Sequence, residues 1–170
     1  SSNQSGSIVA GIQVWYQNNP KIYYNSVYLS GNGNGANPNG SAALYISSEV
    51  TNLEAKNNIL VNNRDESPYC ASAIYDYSAS NLTSDYNDLY NESSTNNCLV
   101  KIGSTKYNTL PEWRATGKDL NSLNEIVNFT SPTDLHINNN YFTKLDGYAT
   151  PIAGIGTDHD GQPRNSLLPD

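Results

Sequence analysis

The chain is poor in the residues that carry most catalytic and nucleic-acid chemistry. It has no methionine, two histidines, two cysteines, two phenylalanines and two tryptophans. Lys and Arg total 9 against 16 Asp and Glu, a formal charge of −7. The few basic residues are scattered, so no stripe exists to neutralise phosphates and a nucleic-acid partner is excluded. No apolar run approaches the roughly 20 residues of a membrane-spanning helix. The two cysteines have no His or Cys neighbours at zinc-ligand spacing. His136 and His159 lie far apart and define no Ser/His/Asp arrangement. With no Met and no signal peptide at Ser1, the chain is expected to be a processed product or a piece of a longer protein.

What is abundant is asparagine, about 26 residues, and tyrosine, 13 residues. Asn favours turns and left-handed backbone, and Tyr favours strands, so the composition predicts short strands with many polar corners. Runs at 7–16, 21–30, 41–47, 53–63, 69–77, 81–91 and 98–103 read as strands bounded by Gly, Asn, Pro and Ser. The stretch Gly31–Gly40 reads as a loop.

The chain also repeats itself. Gly11-Ile12-Gln13-Val14, Ala43-Leu44-Tyr45-Ile46 and Ala73-Ile74-Tyr75-Asp76 follow one another at intervals of about 30 residues. Between them, with the same rhythm, lie Asn25-Ser26-Val27-Tyr28, Asn57-Asn58-Ile59-Leu60 and Asn87-Asp88-Leu89-Tyr90. Two interleaved elements with one period predict a stacked unit whose equivalent strands pair in parallel, an all-β, right-handed parallel β-helix. Alternation places Ile12, Leu44, Ile74 and Val100 in one inward column and Val14, Ile46 and Ile102 in another. Val27, Ile59 and Leu89 form a third, with Asn25, Asn57 and Asn87 as corner residues. Asp76 falls in an inward column, where an unpaired carboxylate is costly, so either a bend, the favoured expectation, or a partner for Asp76 is expected there.

Residues 1–108 are read as β-helix turns and 109–170 as a C-terminal capping region of the same domain. Thr109-Leu110-Pro111-Glu112 matches a capping box and predicts a short helix through Trp113, ending near Gly117. Asp134–Ile137 reads as one more strand, and the tail from Gly147 as irregular. Cys70 and Cys98 are close to one repeat apart, so stacking brings them onto adjacent turns. A disulfide is one expectation there, and two free thiols acting as small core residues are the other.

Outward tyrosines are the first candidate binding residues. Tyr45 and Tyr75 form one column, Tyr28 and Tyr90 a second with Leu60 between them, and Tyr24 and Tyr86 flank Lys56 in a third. Aromatic rows on a rigid sheet stack on sugar rings. Asp158-His159-Asp160-Gly161 resembles the start of a calcium loop without its distal Glu. Asp158 and Asp160 are thus candidate calcium ligands, although a structural turn bridged by Arg164 is favoured. No other cofactor is implied. The nearest approach to a lyase cluster is Asp76, Asp85 and Asp88 with Lys101 or Arg64, and alternation separates Asp85 from Asp88.

Ser41–Ser47, Asn57–Asn63, Ser84–Tyr90 and Thr133–Ile137, followed by Thr157–Arg164, occur in that order. The whole, from about residue 8, resembles the C-terminal part of large secreted bacterial β-helix proteins of the pectin-lyase-like class, from bacteria that use type IX secretion. In that family the tail continues beyond Pro-Asp, so the resemblance implies a fragment. It also implies a secreted or cell-surface location and a β-helix, and says little about activity. The Asn-Thr-Asp, Asp-Asp, His-Gly and Arg-Ile-Lys motifs of polygalacturonase-like hydrolases do not occur. The expected function is therefore a structural and adhesive module. Its expected partners are polysaccharides or other surface proteins, with self-association through the ends of the solenoid. The alternative is a piece of a polysaccharide lyase or glycoside hydrolase whose catalytic turns lie upstream.

Overall fold

The computed structural model describes residues 8–33, 39–77, 81–92 and 98–169. Ser7, the middle of the Gly31–Gly40 loop and Asp170 lie outside the described residues. Among those described are thirteen strands and one short α-helix. Nine of the strands form three repeat units: β1 (Val9–Val14), β2 (Lys21–Tyr23) and β3 (Ser26–Leu29); β4 (Ser41–Ile46), β5 (Glu54–Lys56) and β6 (Ile59–Asn62); β7 (Ala71–Asp76), β8 (Thr83–Asp85) and β9 (Asp88–Tyr90). Each unit gives one strand to each of three sheets, and equivalent strands pair in parallel. β10 (Val100–Ile102) extends the first sheet in parallel, and β11 (Thr105–Tyr107) closes it as an antiparallel edge.

The expected strands 21–30, 53–63 and 81–91 each break into two because one residue turns left-handed. Tyr24, Asn57 and Tyr86, at the equivalent corner of the three units, have φ of 54, 57 and 56°. Asn is suited to this conformation, whereas a Tyr in it is uncommon and must be held by its surroundings. An earlier corner carries Asn19 and Asn52, with φ of 54 and 53°. There Asn52 Nδ2 donates to Asn19 Oδ1 at 3.1 Å.

The interior follows the alternation for the first sheet. Ile12, Leu44, Ile74 and Val100 are in register, as are Val14, Ile46, Asp76 and Ile102. In the third sheet the register differs by one residue from the sequence reading. Val27 pairs with Leu60 and then Leu89, and all three are buried. Ile59 sits instead between Ser26 and Asp88 on the opposite face and is half-buried. A one-residue slip flips every side chain of a strand, and the second unit is one residue longer here than the repeat suggests.

The slip also decides which asparagines stack into a hydrogen-bonded ladder between units. Its members are Asn25, Asn58 and Asn87, not Asn57. Asn58 Oδ1 accepts from the Asn25 side chain at 3.0 Å, and Asn87 Oδ1 from the Asn58 side chain at 2.9 Å. The second amide hydrogens go to carbonyls, Asn58 Nδ2 to Ile22 O at 2.9 Å and Asn87 Nδ2 to Ala55 O at 3.0 Å. Buried amides so satisfied tie each unit to the next.

Asp76 does not mark a bend. It is fully buried and keeps the register of β7 between Ile46 and Ile102.

Helix α1 (Leu110–Arg114) has the expected capping box at Thr109, with Pro in its first turn. Trp113 is buried in the same core as Leu89 and Val100 and packs on Tyr107 at 5.0 Å. Its Nε1 donates to Asp119 Oδ2 at 2.6 Å. The stacking runs on past Asn108. Asp119 N bonds Ser84 O, Leu123 N bonds Asn87 O, and Asn87 N bonds Ser122 Oγ at 2.8 Å, which ends the ladder. β12 (Phe129–Ser131) and β13 (Asp134–Ile137) form an antiparallel hairpin, and β13 packs against β3. The remainder to Pro169 is irregular. No helix among the described residues is long and apolar enough to cross a membrane.

Candidate functional site

A cleft of about 420 Å³ lies between the third sheet and the C-terminal tail. The outward column Ser26, Ile59 and Asp88 lines its floor. The left-handed corner residues Tyr24, Asn57 and Tyr86 line one side, and β13 with the turn around Asp158–Arg164 lines the other.

The tail is fixed to the corner by side-chain–backbone bonds. Asn57 Nδ2 donates to Thr150 O at 2.7 Å, and Asn57 Oδ1 accepts from Thr150 N at 2.9 Å. The Tyr24 hydroxyl donates to the same carbonyl at 2.9 Å. The Arg164 guanidinium lies 4.0 Å over the Tyr24 ring, a cation–π contact. These contacts account for the left-handed Tyr24.

Asp88 is the chemically unusual residue of the cleft. It is only 2 % exposed. Its Oδ1 accepts from Glu125 N at 2.8 Å, and its Oδ2 is buried without a hydrogen-bond partner. Burial pushes its carboxyl up to about 7, and the Glu125 charge adds to this while the Glu125 N–H opposes it. Its carboxyl therefore titrates near neutral pH.

On the far wall, His136 Nδ1 lies 2.5 Å from Asp134 Oδ1, and Nε2 lies 2.9 Å from Asp160 Oδ2. Those two hydrogen bonds, Asp134 first, raise the imidazole above its ordinary value, and the bonds from the His136 ring and backbone N–H hold the Asp134 carboxyl below its own. Asp158 is used in a turn, its Oδ1 accepting from Gln162 N at 2.7 Å. Asp158 and Asp160 therefore both face the cleft, but their known bonds are to Gln162 and His136. Among the described residues no group of three or more His, Cys, Asp or Glu side chains is arranged to hold a metal ion.

The tyrosine columns form, but they are covered. Gln13, Tyr45, Tyr75 and Lys101 are in register on the outer side of the first sheet, as alternation requires. Tyr45 and Tyr75 are 9 % and 5 % exposed and pack edge to face at 5.4 Å. Trp15 lies 6.1 Å from Tyr45, Tyr77 lies 6.2 Å from Tyr75, and Lys101 Nζ sits 4.0 Å above the Tyr75 ring. Neighbouring aromatics thus take the faces that a sugar would need. Tyr28 and Tyr90 share a column with Val61, not Leu60, between them, and Tyr28 packs on Phe129 at 5.8 Å. Tyr24 and Tyr86 flank Asn57, not Lys56. Cys70 and Cys98 are buried neighbours with free thiols in this structure. Arg64 does not join a carboxylate cluster with Asp88; it pairs with buried Glu66 at 2.6 Å.

The sequence reading therefore missed the cleft. Asp88 was legible only as a member of a lyase-like cluster, because the tail that covers it is far away in sequence. The signal for it was the true ladder register, which puts a carboxylate in line with Ser26 and Ile59. Comparison with protein-family profiles, curated proteins and solved structures finds no match.

Proposed function

We propose that the chain is a right-handed parallel β-helix segment of a secreted or cell-surface bacterial protein, acting as a structural and adhesive module. The carrying observation is that every unit supplies one strand to each of three parallel sheets around one aliphatic interior. A chain that winds this way makes a stiff rod, since each unit contacts only its neighbours.

The adhesive surface in this reading is the cleft, and its ligand is a neutral or mixed glycan. Its volume falls in the ordinary range of small-ligand sites. Asn57 and the Tyr24 ring are engaged by the tail, and the Tyr86 ring that lines the same cleft is of the type that holds sugars by stacking. The overall charge of −7 disfavours polyanions. A glycan array probed with wild type and Tyr86→Asn tests this. Asn already occupies the equivalent left-handed corner at position 57, so the change removes the ring and keeps the backbone. Weak binding lost in the variant supports the cleft. Equal binding by both proteins removes it.

One observation favours a second reading, a carbohydrate-active enzyme. Asp88 titrates near neutral pH while Asp158 and Asp160 line the same cleft. Glycoside hydrolysis needs one protonated and one ionised carboxyl flanking the bond. Release of reducing ends by wild type, abolished in Asp88→Asn, would establish it. The adhesive reading expects no release.

A further inference from the structure

On the outer side of the first sheet two lysines stand opposite each other. Lys101 on β10 is the direct cross-strand partner of Lys106 on β11, so both side chains leave the sheet on one face. That face is the outer one, since Lys101 is in register with Tyr75 and Tyr45. Like charges directly opposite each other repel, and the arrangement calls for a counter-charge. Lys56 and Lys144 each have a glutamate partner, but among the described residues Lys101 and Lys106 pair with no carboxylate. Both line a cavity of about 610 Å³ with Tyr69, Tyr75, Tyr77 and Ser104. No Asp or Glu lines it, in a chain of 16 acidic and 9 basic residues. It shares no lining residue with the cleft beside the tail.

The groups around this cavity divide into two kinds. Lys101 Nζ is held 4.0 Å above the Tyr75 ring, whereas Lys106 is exposed. One ammonium is therefore fixed and the other is free to swing onto a ligand. Tyr75 is 5 % exposed and its face is taken by Lys101. Tyr77 is 53 % exposed, with its ring 6.2 Å from that of Tyr75. The charged end of the cavity thus adjoins one open aromatic ring.

We propose that this cavity binds a phosphate monoester carried on a ring, such as a sugar phosphate, with the phosphate between Lys101 and Lys106 and the ring on Tyr77. Two ammonium groups match the charge of nearly −2 that a phosphate monoester carries above its second pKa of about 6. A carboxylate or a sulfate ester would leave one ammonium unmatched. Lysine ammonium groups hold phosphate oxygens as point charges, and the Ser104 hydroxyl supplies a further donor type. The negative net charge of the chain does not oppose this. Screening limits exposed charges to roughly 8 Å at physiological salt, so the lining outweighs the total.

The test titrates glucose 6-phosphate into the full chain by calorimetry at about pH 7.5, where the ester is a dianion. Glucose and inorganic phosphate are the controls. The ester is expected to bind, glucose not to bind, and inorganic phosphate to bind roughly tenfold more weakly, since it has no ring to stack. Lys106→Gln should weaken the ester roughly tenfold, and Tyr77→Ala should bring it to the level of inorganic phosphate. Both changed side chains are exposed, so the fold is kept. No binding of the ester, equal binding of glucose or of inorganic phosphate, or no effect of Lys106→Gln overturns the proposal. A second measurement uses wild type alone. On addition of the ester, NMR shifts should centre on Tyr77, Lys101 and Lys106. Shifts centred on Tyr86 and His136 of the cleft overturn the proposal and leave the cleft reading standing.

Discussion

The repeat units and the C-terminal tail hold their shapes by different means. In the units, aliphatic columns and an internal asparagine ladder recur at the same positions, so each contact is backed by an equivalent one above or below. Leu44, Leu60, Ile74 and Leu89 are all fully buried. The tail has no such column. Ile126, Phe142 and Leu167 are 66 %, 90 % and 79 % exposed. Its order comes from turns and from bonds to Tyr24, Asn57 and Glu125. The difference teaches that the units are stabilised by burial and the tail by the surface that the units present. The cleft exists only where the two meet.

The sharpest way to break this comparison is to shorten one column member. Leu60→Ala should cost about 2–5 kcal/mol, as fully buried truncations do, while Ile59→Ala should cost much less. Urea denaturation of the two variants decides the register. Equal losses would restore the Ile59 column expected from the repeat.

Asn58→Ala removes the middle rung of the ladder and leaves buried partners at Asn25, Ile22 and Asn87 unsatisfied. A loss of about 2–4 kcal/mol is expected, spread over both neighbouring units. Hydrogen exchange should show faster opening in β3 and β9, with the tail affected only secondarily.

Asp88 couples the two regions through pH. Its folded value lies above the unfolded one, so between about pH 4 and 7 the folded chain keeps a proton that the unfolded chain has lost. Stability contributed by this group therefore falls as pH rises through that window. Asp88→Asn should flatten that part of the profile and stabilise the protein at pH 8 by on the order of 1–3 kcal/mol. Thermal melts of both proteins from pH 4 to 8 provide the check.

Asn57→Gly keeps the left-handed corner and deletes both bonds to Thr150. It should loosen the tail by about 1 kcal/mol with little change in the units. Limited proteolysis should cut between residues 138 and 169 sooner and leave the repeat core intact.

The smallest effect concerns His136. Its raised value means that its bond to Asp160 carries a charged imidazole below that value and fades as pH rises through it. Protection of the Asp158–Gln162 turn, followed by NMR, should decline over the same range and should be pH-independent in His136→Gln.

Much of this was legible from residues alone. Alternation through Ile12, Leu44, Ile74 and Val100 gave the first sheet its inward face, because the period-2 rule is local. The Thr109–Glu112 spacing gave the helix for the same reason. The third-sheet register was not legible, since Asn57-Asn58 offers two adjacent residues of the same type and only pairing across units chooses between them. Outward direction was legible for Tyr45 and Tyr75, but their burial was not, because it depends on Trp15, just past β1, and on Lys101 of β10. The bend expected at Asp76 failed because pairing with both neighbours held the strand in register.

By itself, then, the sequence determined the period, the parallel stacking and the acidic, polar-cornered character of the chain. These follow from residue type and spacing along one strand at a time. Only the tertiary structure decided which asparagines form the ladder, that the tail folds back over Asp88 to make a cleft, and that Tyr77 shares a cavity with Lys101 and Lys106. Each of these joins residues that are distant in sequence, and no local pattern encodes how such surfaces meet.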